Sequence, residues 1–198
     1  MQSTLYHPES NSTEKTDETY EGKPFFRKNY GAPHWLLDYS KKVEIAIIKI
    51  LMTHHNHHPN IVTYYNIGSN HVDMEQVNSE KSNPLFSEQP LLTREDLNII
   101  IEAMTNVKEF LQSLGIMYID WKFDNMGKSL DGKYKLFDFD ASGLIDLTSN
   151  EWKLKPQHFW SYNEAIKNGA KTPKEIDDWS FNYNIIEEGE KWIQTINE

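Results

Sequence analysis

Three polar side chains interrupt an apolar run near the middle of the chain: Asp120, Lys122 and Asn125 in "MYIDWKFDNMG". Strands that build cores rarely spend polar residues this way. Two further carboxylates, Asp138 and Asp140, follow in "KLFDFDASG", the first of them eighteen positions after Asp120 (138 − 120). Between them lies Asp131-Gly132, a dipeptide that turns hairpins. A carboxylate can orient an attacking hydroxyl, and a second carboxylate with an amide can hold Mg2+ against phosphates; phosphoryl transfer needs both. A loop followed by a tight hairpin brings such groups to one place. The plain alternative is a set of turn-forming polar residues at hairpin ends, and Asp131 is one of those.

Several elements must position these groups. The clearest is "LTREDLNIIIEAMTNVKEFLQSLG". Thr93 is a good N-cap, and Glu95 and Asp96 suit the positive end of the helix dipole. Leu97, Ile100, Ile101, Met104, Leu111 and Leu114 make one apolar stripe, and Gly115 is a natural residue just past the end. A short strand "IMYI" enters the polar loop, and "NMGKSLDGKYKLFDFD" predicts a hairpin. Upstream, "YSKKVEIAIIKILMTHH" predicts a helix with Ser40 as N-cap and Val43, Ile47, Ile50 and Leu51 at helical spacing. "IVTYYNIG" and "HVDMEQVN" predict a hairpin turning at Gly68-Ser69-Asn70. "KPFFRKNY" predicts a strand with Phe26, Lys28 and Tyr30 on one face, ended by Gly31-Ala32-Pro33. The opening 22 residues, rich in Ser, Thr and Glu, read as loop or loosely held strand, and residues 79–92 as a linker. The last third reads as a loop around Pro156, then helices near 161–168 and 175–195. There is no internal repeat, and the order of elements is α+β.

Composition narrows the function classes. A chain of 198 residues fits one domain or two small lobes. With 38% hydrophobic and 13% aromatic residues it folds over most of its length. A net charge of −10 argues against non-specific nucleic-acid binding, which needs a basic face, and leaves only a local basic patch for it. The absence of cysteine removes disulfides and thiolate zinc sites. No apolar run reaches the roughly 18 residues of a membrane span, and the first residues lack a signal peptide's apolar core. The expectation is a soluble, acidic protein without a membrane partner. "HHNHH", His54 to His58, has metal-ligand spacing, but with no adjacent carboxylate it reads as a solvated helix terminus. Trp152, Phe159, Trp160 and Tyr162 read as core packing under a loop, with peptide docking as the alternative.

The segment "YIDWKFDN" resembles the catalytic loop of protein kinases, H-R-D-L-K-P-x-N, and "KLFDFDASG" resembles their metal-binding K-L-x-D-F-G segment. The resemblance runs in family order over most of the chain. "HHPNIVTYY" resembles the H-P-N-I-V run, "LQSLGIMYIDWK" the L-H-x-x-G-I-x-H-R-D-L-K run, and "EIDDWSFNYNIIE" the D-x-W-S-x-G helix of the large lobe. "SYNEA" echoes the A-P-E motif at Glu164. The family reading implies a two-lobed fold, with residues 1–78 a reduced N-lobe, a hinge near 75–78, and 79–198 a truncated, mainly helical C-lobe. It implies ATP and Mg2+ as cofactors. Asp120 would be the base, Lys122 would neutralise the γ-phosphate, and Asn125 and Asp138 would bind Mg2+, with Asp140 as a further metal candidate. Glu44 stands where the helix glutamate would, Met74 at the gatekeeper position, and backbone groups of Glu75 and Val77 where adenine pairs. Asp177 or Asp178 would anchor the catalytic loop.

The departures are as informative. No G-x-G-x-x-G occurs, and Gly22 alone stands upstream of the first helix's strand. There is no V-A-I-K; Lys28, sixteen positions before Glu44 (44 − 28), is the candidate lysine, with Lys23 and Arg27 as rivals. Ile119 replaces the loop arginine that pairs with an activation-segment phosphate, so switching by phosphorylation is not expected. Asp140 replaces the glycine of D-F-G. The chain ends about one helix after "DDWSF", which implies a minimal fold like those of compact kinases from large DNA viruses or bacterial effectors, acting in the cytoplasm of a cell or host. Homodimerisation or a complex with a host protein would cover the face left by missing helices. Lys122, two after Asp120, favours a Ser/Thr protein kinase with a protein substrate. The rivals are a pseudokinase that binds a partner and a small-molecule kinase of related fold, whose loops usually lack that lysine.

Overall fold

A computed structural model describes residues 12–30, 35–53, 58–78, 92–157 and 160–196. It begins with an antiparallel sheet of strands β1 (Ser12–Tyr20), β2 (Lys23–Asn29), β3 (Tyr64–Ile67) and β4 (His71–Glu75), in the order β1-β2-β4-β3. The polar opening segment is therefore a strand from Ser12 onward, with a register shift against β2 between Lys15 and Thr19. An edge strand needs backbone partners on one side only, and threonine suits the pleat, so low hydrophobicity does not prevent pairing. Arg27 lies opposite Asp73 and Lys28 opposite Val72. The expected turn at Gly68-Ser69-Asn70 joins β3 to β4.

Helix α1 (Trp35–Thr53) packs against β3. It starts five residues before the expected cap, and Ser40 lies buried inside it. Ser40 stands three before Val43 and seven before Ile47, so it shares their face, where a small hydroxyl is tolerated. Val43, Ile47, Ile48 and Leu51 enter the main core.

Helix α2 (Arg94–Ser113) follows the residues 79–91, so most of the expected linker lies outside the described residues. Its N-terminus is a reciprocal capping box between Thr93 and Asp96. Leu97, Ile100, Met104, Val107 and Leu111 are its buried stripe, and Gly115 beyond its end has φ +75. After α2 come β5 (Ile116–Met117), a 3₁₀ turn at Phe123–Asn125, and the hairpin β6 (Met126–Lys128) with β7 (Tyr134–Leu136). The hairpin turns at Asp131-Gly132, as expected, with Gly132 at φ +82. Strands β8 (Gly143–Ile145) and β9 (Trp152–Leu154) join β5 in a sheet ordered β5-β8-β9. Helices α3 (Trp160–Lys167), α4 (Pro173–Phe181) and α5 (Glu188–Ile196) follow, with a π-helical stretch, Asn182–Glu187, between the last two.

A second, smaller core of Met117, Ile119, Ile145, Tyr162, Ala165 and Ile176 lies under α3 and α4. Tyr162 is in this core and Trp152 packs on it, but Trp160 is 56% exposed, so the expected aromatic core is only partly formed. Trp160 instead sits beside Trp179 and Tyr183 at the surface, and Phe159 lies outside the described residues. No described helix is long and apolar enough to cross a membrane.

Candidate active site

Strand β2 buries Lys28, whose ammonium meets both oxygens of Glu44 at 2.9 Å and Oδ1 of Asp138 at 2.7 Å. Asp140 Oδ2 lies 3.9 Å away. Burial alone would lower the Lys28 pKa, but Glu44, Asp138 and Asp140 together hold it well above the usual lysine value. The Tyr30 hydroxyl donates to Glu44 at 3.0 Å, so Lys28 and Tyr30, two apart on one strand face, grip the same carboxylate. The rival cations go elsewhere. Arg27 forms a two-point pair with Asp73 across the sheet, at 2.7 and 3.0 Å, and Lys23 is exposed.

Asp138 adopts φ +63, which turns the chain sharply after β7. Phe139 is then fully buried, against Tyr118 at 5.2 Å and Tyr64 at 6.3 Å, and its N–H faces Glu44 at 3.4 Å. The two aspartates consequently flank a buried ring and both face Lys28. Burial opposes ionisation of Asp138, yet Lys28 and Lys122 hold its carboxyl below the usual range. Asp140 goes the other way: burial, then the charge of Asp138, push it up to about 7.

The loop beneath holds Asp120, Lys122 and Asn125. Lys122 Nζ lies 2.7 Å from Asp120 Oδ2, and the Asn125 amide donates to Asp120 Oδ2 at 3.0 Å and to its carbonyl at 2.9 Å. Both bonds use the amide nitrogen of Asn125. Just before, Ile119 takes φ +65, a conformation strongly disfavoured for a β-branched residue. The conformation is pinned from both sides. Asp177 accepts from Ile119 N–H at 2.9 Å, and the Ser180 hydroxyl donates to the Ile119 carbonyl. Asp177 also accepts from Trp121 Nε1 at 2.7 Å and Gln112 Nε2 at 2.9 Å. Of the two candidate anchors, Asp177 is therefore the buried one, while Asp178 pairs with Lys108 at 2.6 Å. Sequence reading left this pair open and missed Gln112, although Gln112 occupies the histidine position of the L-H-x-x-G run quoted above.

Met74 is buried in β4, opposite Phe26 and Tyr64. Glu75 N–H donates to the Thr63 carbonyl at 2.7 Å, and its side chain pairs with Lys135. Val77 packs on Gly127, where an added Cβ would lie 2.5 Å from its side chain, and Asn78 exchanges two backbone hydrogen bonds with Lys128. Gly22 lies in the turn between β1 and β2 at φ +78, six residues before Lys28, which is roughly 20 Å along an extended strand. It cannot cover a phosphate paired with Lys28. Glu164 makes an ion pair within its own helix, with Lys167. Of the histidine run, only His58 is among the described residues, and no group of three or more His, Asp or Glu side chains there is placed to hold a metal ion.

The site thus joins an ammonium, two outer carboxylates and a carboxylate–amide–ammonium loop, held by a buried aspartate. The protein kinase domain family model matches residues 28–189, beginning at the buried lysine itself. Serine/threonine-protein kinase CST20 of Candida albicans is 27% identical over 161 residues, 78% of this chain and 13% of that protein. Serine/threonine-protein kinase STE20 of Saccharomyces cerevisiae is 29% identical over 78% of this chain and 17% of its own length. Mouse serine/threonine-protein kinase PAK 1 is 29% identical over the same share of this chain and 29% of its length. The chain thus spans less than a third of each of these relatives, and it belongs to the protein kinase domain family.

Proposed function

We propose that the chain transfers the γ-phosphate of ATP, with Mg2+, to a Ser or Thr hydroxyl of a protein substrate. The observation that carries this reading is the position of Lys28, bonded at once to Glu44 and to Asp138. The donors suit the cation. Mg2+ takes one or two carboxylates and fills its octahedron with water and phosphate oxygens, so a closed cage of three protein ligands is not required. Ionised Asp138 and the Asn125 oxygen would hold it, and when bound it would neutralise charge developing on the phosphates. Asp140 is the further candidate ligand. Lys28 would pair with the phosphates. Asp120, fixed by Asn125, would accept the hydroxyl proton, and Lys122 would offset negative charge beside it. Met74 would border the adenine pocket, with the Glu75 carbonyl and Val77 N–H as its backbone partners. Residues 1–78 and 79–198 would be the two lobes.

A second reading, a non-catalytic kinase-like module that binds a partner, is favoured by the remote position of Gly22. One assay separates them. The full chain with labelled ATP, Mg2+ and a generic protein substrate is expected to transfer label to Ser/Thr, and Asp120→Ala or Asp138→Ala to lower the rate by at least about 100-fold. Label transfer that survives either substitution overturns the mechanism; no transfer to any protein favours the module.

A further inference from the structure

Glu44 and Asp138 reach Lys28 from different directions, one on α1 and the other at the end of β7, and something must keep α1 against the segment that follows Asp138. Among the described residues, α1 packs on β8, and one side-chain hydrogen bond crosses to the stretch after β9. The Tyr39 hydroxyl, five residues before Glu44, donates to the Lys155 carbonyl at 2.6 Å. Lys155 continues the link, since its ammonium lies over the Tyr162 ring at 5.4 Å. Tyr162 is buried in the small core with Ile119, the strained residue before Asp120. A continuous set of contacts therefore runs from the helix of Glu44 to the loop of Asp120.

Tyr39 offers a neutral hydroxyl and Lys155 a backbone carbonyl, so the link needs no phosphate. Ile119 supplies no cation for one either. We infer that Tyr39 is a positioning residue whose hydroxyl ties α1 to the segment after β9, and so keeps Glu44 on Lys28 without any covalent switch. This rests on the kinase reading for its rate consequences, but the placement of α1 can be measured without catalysis.

Tyr39→Phe removes the hydroxyl and leaves the ring, which packs at the edge of the main core. In the full chain it is expected to lower kcat/KM for ATP about fivefold, the factor one neutral hydrogen bond is worth, with KM for the protein substrate unchanged. In a Glu44→Gln background the same substitution is expected to have no further effect, because both act through Lys28. Independent losses that multiply would show a merely structural role and overturn the inference. Amide hydrogen exchange without nucleotide decides the case should the chain prove inactive. Faster exchange in α1 around Val43–Ile48 and in 139–143 for Tyr39→Phe supports the tie; exchange equal to that of the unsubstituted chain overturns it.

Discussion

Among the described residues, one buried side-chain polar atom has no hydrogen-bond partner, the hydroxyl of Tyr64. The Tyr30 hydroxyl, by contrast, donates to Glu44. Tyr64 lies edge-on to Phe139, within the field of Glu44 and Asp138, and burial drives its pKa far up, so the group stays a neutral phenol. A buried hydroxyl without a partner carries a desolvation cost that folding does not recover. Tyr64→Phe deletes that atom and keeps the ring contact. It is expected to stabilise the protein by about 1 kcal/mol, a rise in Tm of roughly 2–4 °C in a chain of this size. A fall in Tm measured by scanning calorimetry would mean that the hydroxyl has a partner in solution. At this same scale the grouping of the candidate residues could be read from their spacing. Asp120, Lys122, Asn125 and Asp138 sit on short loops whose spacing leaves little freedom. Lys28 was harder to single out, because three cations crowd one short strand and only pairing across the sheet shows that Arg27 is taken by Asp73.

The joint between α1 and β3 shows how an element boundary responds to pH. His58 lies half-buried there, its ring 5.2 Å from Phe110 of α2, and its Nδ1 accepts from Asn60 N–H at 3.2 Å. Burial lowers its pKa. The folded state therefore prefers the neutral ring. The stability this contributes is fully present above the unfolded value of about 6.5 and is lost as pH falls through the lower folded value. His58→Gln keeps a hydrogen-bond acceptor and cannot titrate. Its loss of Tm between about pH 7.5 and 5.5 is expected to be smaller by about 2 °C than that of the unsubstituted chain. Equal losses would place the acid sensitivity elsewhere. Element boundaries were where sequence reading erred most. The cap at Thr93 and the Asp131-Gly132 turn are local chemistry and were found. The start of α1 and the strand β1 depend on tertiary partners, and polar residues at an edge carry no period to read.

At the scale of the whole molecule, the two expected lobes do not have separate interiors. One buried cluster contains Val72 and Met74 of the sheet, Val43 and Ile47 of α1, Leu97 and Met104 of α2, and Tyr118, Phe139 and Phe181 around the site. The ring of Phe139 touches Tyr64 on one side and Tyr118 on the other, and Tyr118 meets Trp121, which meets Phe181. Backbone bonds between β7 and the segment before β3 add to this: Val62 N–H donates to the Leu136 carbonyl and Leu136 N–H to the Asn60 carbonyl. A sequence divides at its composition breaks, which is why residues 79–92 read as a boundary, but burial is set by what packs across the break. Unfolding one half would strip apolar surface from the other, at a cost of roughly 25 cal/mol for each Å² exposed, so neither half should survive alone. The six tryptophans allow a direct test, since five of them lie at or after residue 121 while the four-stranded sheet is built from residues before 76. Thermal unfolding followed by tryptophan fluorescence and by far-ultraviolet circular dichroism is expected to give one coincident transition. Two transitions, with ellipticity lost at a different temperature from fluorescence, would show that the sheet and the helices melt separately and that the shared cluster does not couple them.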